Sequence, residues 1–570
     1  MNNINRRDFL KYSGAGLAGL AVATHFPFLT PRRALASAGA WKFGVMADTQ
    51  WSNRTTDPAN PASCAINIAR ALNQQFIGHG CKFVVQVGDL IDVESWNIPT
   101  TSYWTNYVDP FGHALGTSNV RTLKYRAWAC QDLYDAGIGF WPVRGNHEGS
   151  QTAAGEVPAL WPQTTGGGNM FGVSNIIDSD NAQLRGLSYA FDYDNVRIVL
   201  VDQFTRKDGT NYNGNTNNNA VDQVAWVDSV LSNRSSDKHA FVMSHKNLSG
   251  QNHKDVLFGA SFSAGNPTAR DQFIASLSAN KVGYYLGGHD HQHYRSSVAG
   301  GGNSVEQIIC SSNSYKFYIP ATPYQQAGEL PIAHELFTIG YYIFTVDGPC
   351  VTVDFYSSSH GADYGDIDLQ YSPSGYNFYL RESFGYSLNG KSFAVAHGQS
   401  YNSVQDSFEG TSASILGGIN GNTETAYPNG GTSLEKTVKT GWSTMPGDCA
   451  SAVLKLWGMM DNLSLYDANL NGLLPSAAES KQGDTYVLSL SYDPTKVRPS
   501  QLIGGKFCLA NRKLDGTLVN AVEANFGGTK SFKYGAYKSG YGLGTYGVNP
   551  SDHTVWAVVN YDGEFVAKLF

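Results

Sequence analysis

Ala47-Asp48-Thr49-Gln50, Gly88-Asp89-Leu90-Ile91-Asp92, Gly145-Asn146-His147-Glu148, Ser244-His245-Lys246 and Gly288-His289-Asp290-His291 are the five short segments on which the reading of this chain turns. Each follows an apolar run: Phe43–Met46, Phe83–Val87, Phe140–Val143, Ala240–Met243 and Val282–Leu286. Runs apolar at nearly every residue fit strands buried on both faces, so the segments that follow them can converge at one edge of a sheet. Carboxylate and amide oxygens mixed with imidazole nitrogens, ending in His-x-His, are what two closely spaced divalent metals need.

Outward from these segments, Val196–Val201 reads as a further buried strand, and Ile66, Ala69, Leu72, Asn73 and Phe76 fall near helical spacing. A layered α/β domain is expected over residues 40–358. Trp96 to Tyr125 and Gly149 to Leu184 are long, polar and Gly/Asn-rich, and are either a rim around the site or ordinary surface loops. Tyr341–Val346 and Val351–Phe355 flank Asp347-Gly348 and predict a closing hairpin. Ser357-Ser358-Ser359-His360-Gly361 then reads as the start of a linker over 359–374.

From 375 to 570 the helical signal thins. Tyr486–Tyr492 alternates, Thr554–Tyr561 and Glu564–Phe570 flank a second Asp-Gly turn at Asp562-Gly563, and Gly-rich connectors such as Gly417–Asn422 intervene. This pattern predicts an all-β, sandwich-like C-terminal domain without a metal or nucleophile constellation. Its aromatic stretch Phe532–Tyr541 is open to two readings, a glycan or envelope partner surface, or packing within the sheets and turns.

The five segments, in this order, resemble the calcineurin-like metallophosphoesterase superfamily, and the resemblance covers about 300 residues. It implies a metallophosphoesterase β-sandwich flanked by helices, two divalent metal ions of open identity (Mn, Fe, Zn or Mg), and hydrolysis of a small-molecule phosphate ester by in-line attack of a metal-activated hydroxide on phosphorus. By the same resemblance Asp48 and His291 belong to the first metal, Asp89 bridges both, and Asn146, His245 and His289 belong to the second. His147 would sit near the leaving oxygen with Asp92 orienting it, the alternative being that Asp92 caps a following helix.

One position departs from the commoner Asp-x-His. Gln50 gives Asp-x-Gln, which resembles the manganese-dependent ADP-ribose/CDP-alcohol diphosphatase branch. Its neutral amide oxygen is a harder donor than imidazole and would favour Mn²⁺ or Mg²⁺ over Zn²⁺, or it lies beside the metal without binding it. His293 extends the run to His-x-His-x-His, and strand alternation would put it beside His289 and His291, though the family pattern does not require it. His79, His113, His253 and His397 receive no role.

The first 36 residues read as an export signal. Asn5-Arg6-Arg7-Asp8-Phe9-Leu10-Lys11 resembles the twin-arginine consensus, an apolar stretch runs from Leu17 to Leu29, and Ala34-Leu35-Ala36 is a small-residue cleavage pattern. The export machinery is therefore an expected partner, a periplasmic or extracellular location is expected, and the apolar stretch is too short to span a membrane. Without that segment 35 Lys and Arg face 46 Asp and Glu, a formal charge of −11, which argues against a nucleic-acid-binding surface. Seven cysteines contain no Cys-x-x-Cys pair, which makes cysteine-ligated zinc unexpected and buried small hydrophobes the expected role for most. A rival function is an envelope glycan- or protein-binding protein built on a degenerate metal-site scaffold.

Overall fold

The structure, a computed structural model, describes residues 39–570 apart from 51–64, 95–96, 99–119, 167–169, 211–217, 261–264, 315–317, 319–327, 337, 359–375, 397–403, 409, 418–434, 460–484 and 514–515. The export-signal segment, most of Trp96–Tyr125, the 359–374 linker, Cys64 and residues 418–422 lie outside the described residues.

The strands of the first module are β1 (Trp41–Met46), β2 (Phe83–Val87), β3 (Gly139–Val143), β4 (Ser174–Asp178), β5 (Tyr189–Tyr193), β6 (Val196–Leu200), β7 (His239–Met243), β8 (Tyr284–Gly287), β9 (His293–Gly300), β10 (Asn303–Ile309), β11 (Glu329–Glu335), β12 (Gly340–Asp347), β13 (Cys350–Ser358) and β14 (Phe378–Ser387). One sheet has the order β14-β13-β12-β1-β2-β3, and the other β11-β9-β10-β8-β7-β6-β5-β4. β1, β2 and β3 run parallel, as do β6, β7, β8 and β10, so in each sheet a central set of strands ends at the same edge.

Alternation along these strands sorts the side chains into layers. Phe43, Val45, Phe83, Val85, Trp141 and Val143 of one sheet meet Phe191, Ile198, Phe241, Met243, Tyr284 and Leu286 of the other. The opposite face of the first sheet, with Val84, Phe140 and Ile343, is covered by helix Ile66–His79, which buries Ile66, Ala69, Leu72 and Phe76 as its spacing predicts. Helices Val224–Ser232 and Pro267–Ala279 cover Val199, Val242 and Tyr285 of the second. The result is a helix–sheet–sheet–helix stack, the layered α/β class expected. Gly149–Leu184 is not simply a loop. Its helix Gln151–Leu160, capped where Ser150 Oγ accepts from Ala153 N, sends Val157 into the core beside Trp161.

The hairpin about Asp347-Gly348 forms, with Asp347 opposite Cys350. The first sheet then takes one strand more than the 375 boundary allows, because β14 pairs along β13 from Ser387 back to Phe378. Buried charge fastens it there. Glu382 accepts from Arg295 Nη2 at 2.5 Å and lies 3.1 Å from His293 Nε2, while Arg381 Nε donates to Glu335 at 3.0 Å.

Two six-stranded sheets follow, one holding Phe507–Arg512 and Gly563–Leu569, the other Tyr486–Ser491 and Thr554–Val559. Trp442, Leu454, Leu456, Leu488, Leu490, Leu509, Val555, Val559 and Phe565 fill the space between them, the sandwich expected. The strands flanking Asp562-Gly563 do not pair across that turn; they belong to different sheets. Asp562 is occupied in accepting from Gly458 N and Met459 N at 2.9 and 2.7 Å, which pins the chain where it crosses between layers. In the aromatic stretch, Tyr537 and Tyr541 pack on Trp556 and Phe532 on Tyr546, the packing alternative, although Tyr534 is 59% exposed. The six described cysteines are free and buried. Among the described residues no helix is long and apolar enough to cross a membrane.

Removing one partner of a buried ion pair costs about 3–5 kcal/mol. Glu382→Ala, which removes the Nε2 partner of His293 and leaves Arg295, among the described residues, with Glu306 at 3.6 Å as its carboxylate, is expected to lower stability by about 3 kcal/mol, read as a lowered denaturation midpoint at unchanged slope. A midpoint equal to wild type contradicts a stabilising role for this contact.

Candidate metal centre

All five motif segments leave the C-terminal ends of parallel strands: Asp48 after β1, Asp89 after β2, Asn146 after β3, His245 after β7, and His289 and His291 after β8. The two sheets thus deliver donors to one edge. Asp48, Asp89, His289 and His291 have φ of 52°, 45°, 72° and 56°, a left-handed conformation uncommon outside glycine but several-fold enriched for Asp and His. Four such residues on opposed loops turn their backbones sharply at the strand ends. Gly145 shows how tight the turns are, since a Cβ there would lie 2.0 Å from Asp89 Oδ1.

Two groups of donors form. Ligand atoms of Asp89, His245 and His289 lie within 4.8 Å of one another, as do those of Asp48, Asp89 and His291, and all are buried. Asp89 belongs to both. Asn146 Oδ1 stands 2.9 Å from His245 Nε2, beside the first of these groups. Gln50 Nε2 donates to Asp89 Oδ2 at 2.8 Å, and its amide oxygen, also buried, has no hydrogen-bond partner among the described residues.

Burial pushes the Asp48 carboxyl well above the usual carboxylate range against the pull of His245. Burial acts on Asp89 in the same direction, but His245 and His147 outweigh it and hold that carboxyl well below the usual range. Two buried carboxylates, three imidazoles and an orphaned amide oxygen make a donor set that fits two divalent ions sharing Asp89. Carboxylate, amide and imidazole without thiolate suit Mn, Fe, Zn or Mg and do not choose between them.

The surrounding bonds set the donors. His245 Nδ1 lies 3.1 Å from Val87 O, which leaves Nε2 facing Asp89 Oδ1 at 3.3 Å. His291 Nδ1 lies 3.2 Å from Ser312 Oγ, and its Nε2 is 3.7 Å from Asp48. Glu148, quoted in its motif without a role, accepts from Gly145 N and Ile91 N at 2.8 Å each and so ties the loops after β2 and β3 together.

His147 is 26% exposed at the mouth, with Nε2 3.9 Å from Asp89. Its Nδ1 lies 2.8 Å from the Asp92 carbonyl and 3.3 Å from the Asp92 carboxylate, so Asp92 meets the ring mainly through its backbone. His293 does not join the cluster. The chain from His289 to His291 is not a strand, β9 starts only at His293, and alternation therefore does not run through the motif. The His293 ring stacks on Phe355 at 3.9 Å between Tyr342 and Glu382. His253 and Asp255, by contrast, lie against His289. No spacing in the sequence marks them.

Residues 42–293 match the family model described as calcineurin-like phosphoesterase. No curated protein matches the chain. Among solved structures, purple acid phosphatase PPD1 from yellow lupin (Lupinus luteus) seeds is 14% identical at a TM-score of 0.37, over 61% of this chain and 54% of that one. PhoD is 12% identical at 0.37, over 63% and 71%. A dimetal phosphatase from Danio rerio is 14% identical at 0.32, over 55% and 95%. The match spans about half the length of the lupin enzyme. The family match runs from the first residues of β1 to the start of β9 and takes in all five strand-end segments, so it is this part of the chain that is similar to the calcineurin-like phosphoesterases.

Proposed function

We propose that this protein hydrolyses phosphate esters at a dinuclear metal centre, with Asp48, Gln50 and His291 on one ion, Asn146, His245 and His289 on the other, and Asp89 on both. The observation that carries this reading is the sharing of Asp89 between two buried donor groups, each within 4.8 Å. When bound, the ions would supply positive charge to the phosphoryl oxygens and acidify the attacking water.

The chain's own part is orientation and proton delivery. Asp89 Oδ1 is fixed by His147 N at 3.1 Å and its Oδ2 by Gln50 Nε2, so that neither oxygen swings freely. His147 keeps its Nδ1–H on Asp92, which turns Nε2 towards the site; with a second proton on Nε2, as imidazolium, the ring would give that proton to the leaving oxygen and return to its neutral form. The net negative charge of the chain supports phosphate recognition at this edge over recognition by a basic surface. Export by the twin-arginine route, on the strength of Asn5–Lys11, belongs to the same proposal. Apo-protein reconstituted with each ion and assayed on an aryl phosphate, its diester and a pyrophosphate ester tests the activity and sorts the substrate class; no turnover of any of them with two ions bound favours the binding-protein rival.

Asp89→Ala or His289→Ala should abolish turnover and lower metal content. His147→Ala should keep its metal while kcat falls by about 10²–10⁴, the span for a lost acid–base group. A parallel fall in metal content would make His147 a ligand and remove it from proton transfer.

Gln50→His should keep two ions while moving the best activating ion from Mn²⁺ towards Zn²⁺ or Fe, because imidazole is the softer donor. An unchanged ranking of ions, together with near-normal activity of Gln50→Ala, takes Gln50 out of the metal shell.

A further inference from the structure

His289 is gripped on two sides by residues outside the motif segments. At its edge, Nε2 lies 2.9 Å from Asp255 Oδ1. On its face, the His253 ring stacks at 4.1 Å between centroids and 29° between planes. Neither neighbour is loosely held. Asp255 begins the two-residue pairing of Asp255–Val256 with Gly259–Ala260, which Leu257 N fastens to Asn247 O at 2.8 Å, and its second oxygen takes a bond from Lys246 Nζ. His253 is anchored to Asp290 Oδ1 through its backbone N at 2.9 Å and its Nδ1 at 3.1 Å.

An imidazole that ligates through one nitrogen commonly gives the N–H on the other to a carboxylate or carbonyl, which fixes the tautomer, aims the ring and strengthens the donor. With Nε2–H given to Asp255, Nδ1 is the nitrogen His289 has left for a metal. His245 is arranged the other way round, its Nδ1 on the neutral Val87 carbonyl and its Nε2 turned to Asp89 and Asn146. The acceptor behind His289 is charged, so its hold on the ring is the stronger of the two. Asp255 would then act on the second ion without touching it.

We propose that Asp255 is a positioning residue for the second metal, holding His289 through Nε2 so that Nδ1 ligates, with Lys246 fixing the carboxylate and His253 backing the ring. This rests on the dinuclear reading above. The carboxylate–imidazole contact enters the site from the hairpin after β7, a part of the chain that the strand-end motifs do not include.

The test is calorimetric titration of apo-protein with Mn²⁺, together with the visible spectrum of the Co²⁺-loaded form. Asp255→Asn, nearly isosteric but uncharged, should weaken one of the two binding steps by about 10–100-fold, leave the other unchanged, and shift the Co²⁺ bands of one site. Asp255→Ser, a second neutral variant, should give the same loss should Asn disturb folding. Placed in a His289→Ala background, Asp255→Asn should add nothing, because no ring remains to be oriented; a general structural defect would add in full. Wild-type affinity for both ions in Asp255→Asn and Asp255→Ser, or an undiminished loss in the His289→Ala background, overturns the inference while leaving the dinuclear reading intact. Uptake of fewer than two ions by the wild-type protein overturns both.

Discussion

Asp89 is the point at which the two sheets have to agree. Its carboxylate sits at the end of β2 in the first sheet, yet His245 and His289, which share a donor group with it, stand at the ends of β7 and β8 in the second. A donor group within 4.8 Å that draws on both sheets exists only if the sheets are held at a fixed separation and offset. That is the work of the aromatic layer between them, where Phe43 stacks on Phe83 at 4.9 Å and on Phe344 at 4.6 Å, and Phe241 meets Phe43 edge-on at 5.6 Å. Interlocked rings tolerate little sliding, so the core sets the spacing of the donor groups as well as the stability.

The same demand explains why the loops are strained and why their supports are charged. Left-handed φ at Asp48, Asp89, His289 and His291 costs conformational energy that the surroundings must over-determine. They do so with buried hydrogen bonds. Arg144 forks onto Asp202 at 2.6 and 2.8 Å and also donates to Glu148 O and Ser150 O, clamping the loop that carries Asn146 and His147. Arg126 reaches Thr49 and Gln86 from beneath the Asp48 and Asp89 loops. Arg126, Arg144 and Asp202 are buried, and their hydrogen bonds go to the loops that carry the donors.

What could be read from the sequence was whatever depends on short-range pattern. Apolar runs marked the buried strands, residue chemistry marked the donors, and helical spacing marked the covering helix at Ile66–His79. What escaped depends on pairing between distant segments. Nothing near Phe378 says that it will extend a sheet started at Trp41, because the deciding contact, Glu382 with Arg295, is 87 residues apart. Asp562-Gly563 carries the same signal as Asp347-Gly348, yet one turn joins paired strands and the other crosses between layers. The difference lies in Gly458 and Met459, whose backbone N–H groups occupy the Asp562 carboxylate. His253 and His293 exchanged their expected importance for a related reason: proximity in sequence to His291 counted for less than which loop folds back over the site.

The C-terminal sheets meet the first module through paired charges. Lys455, buried in the second module, pairs with Asp347 at 2.8 Å and Glu564 at 3.1 Å, so its charge bridges the β12–β13 turn and the last strand of the chain. Lys439 pairs with Glu306 on β10, which in turn lies 3.6 Å from Arg295. Arg295 shares Glu382 with His293, which follows His291 by two residues and whose ring stacks on Phe355. A continuous run of charge pairs therefore leads from the second sandwich to the base of the loop that presents His289 and His291. Buried ions held this way give little net stability, because desolvation offsets their attraction, but an unpaired member is costly, and that penalty selects one arrangement over its neighbours. The second module thereby reaches the first at the start of β9, the strand that follows the loop carrying His289 and His291.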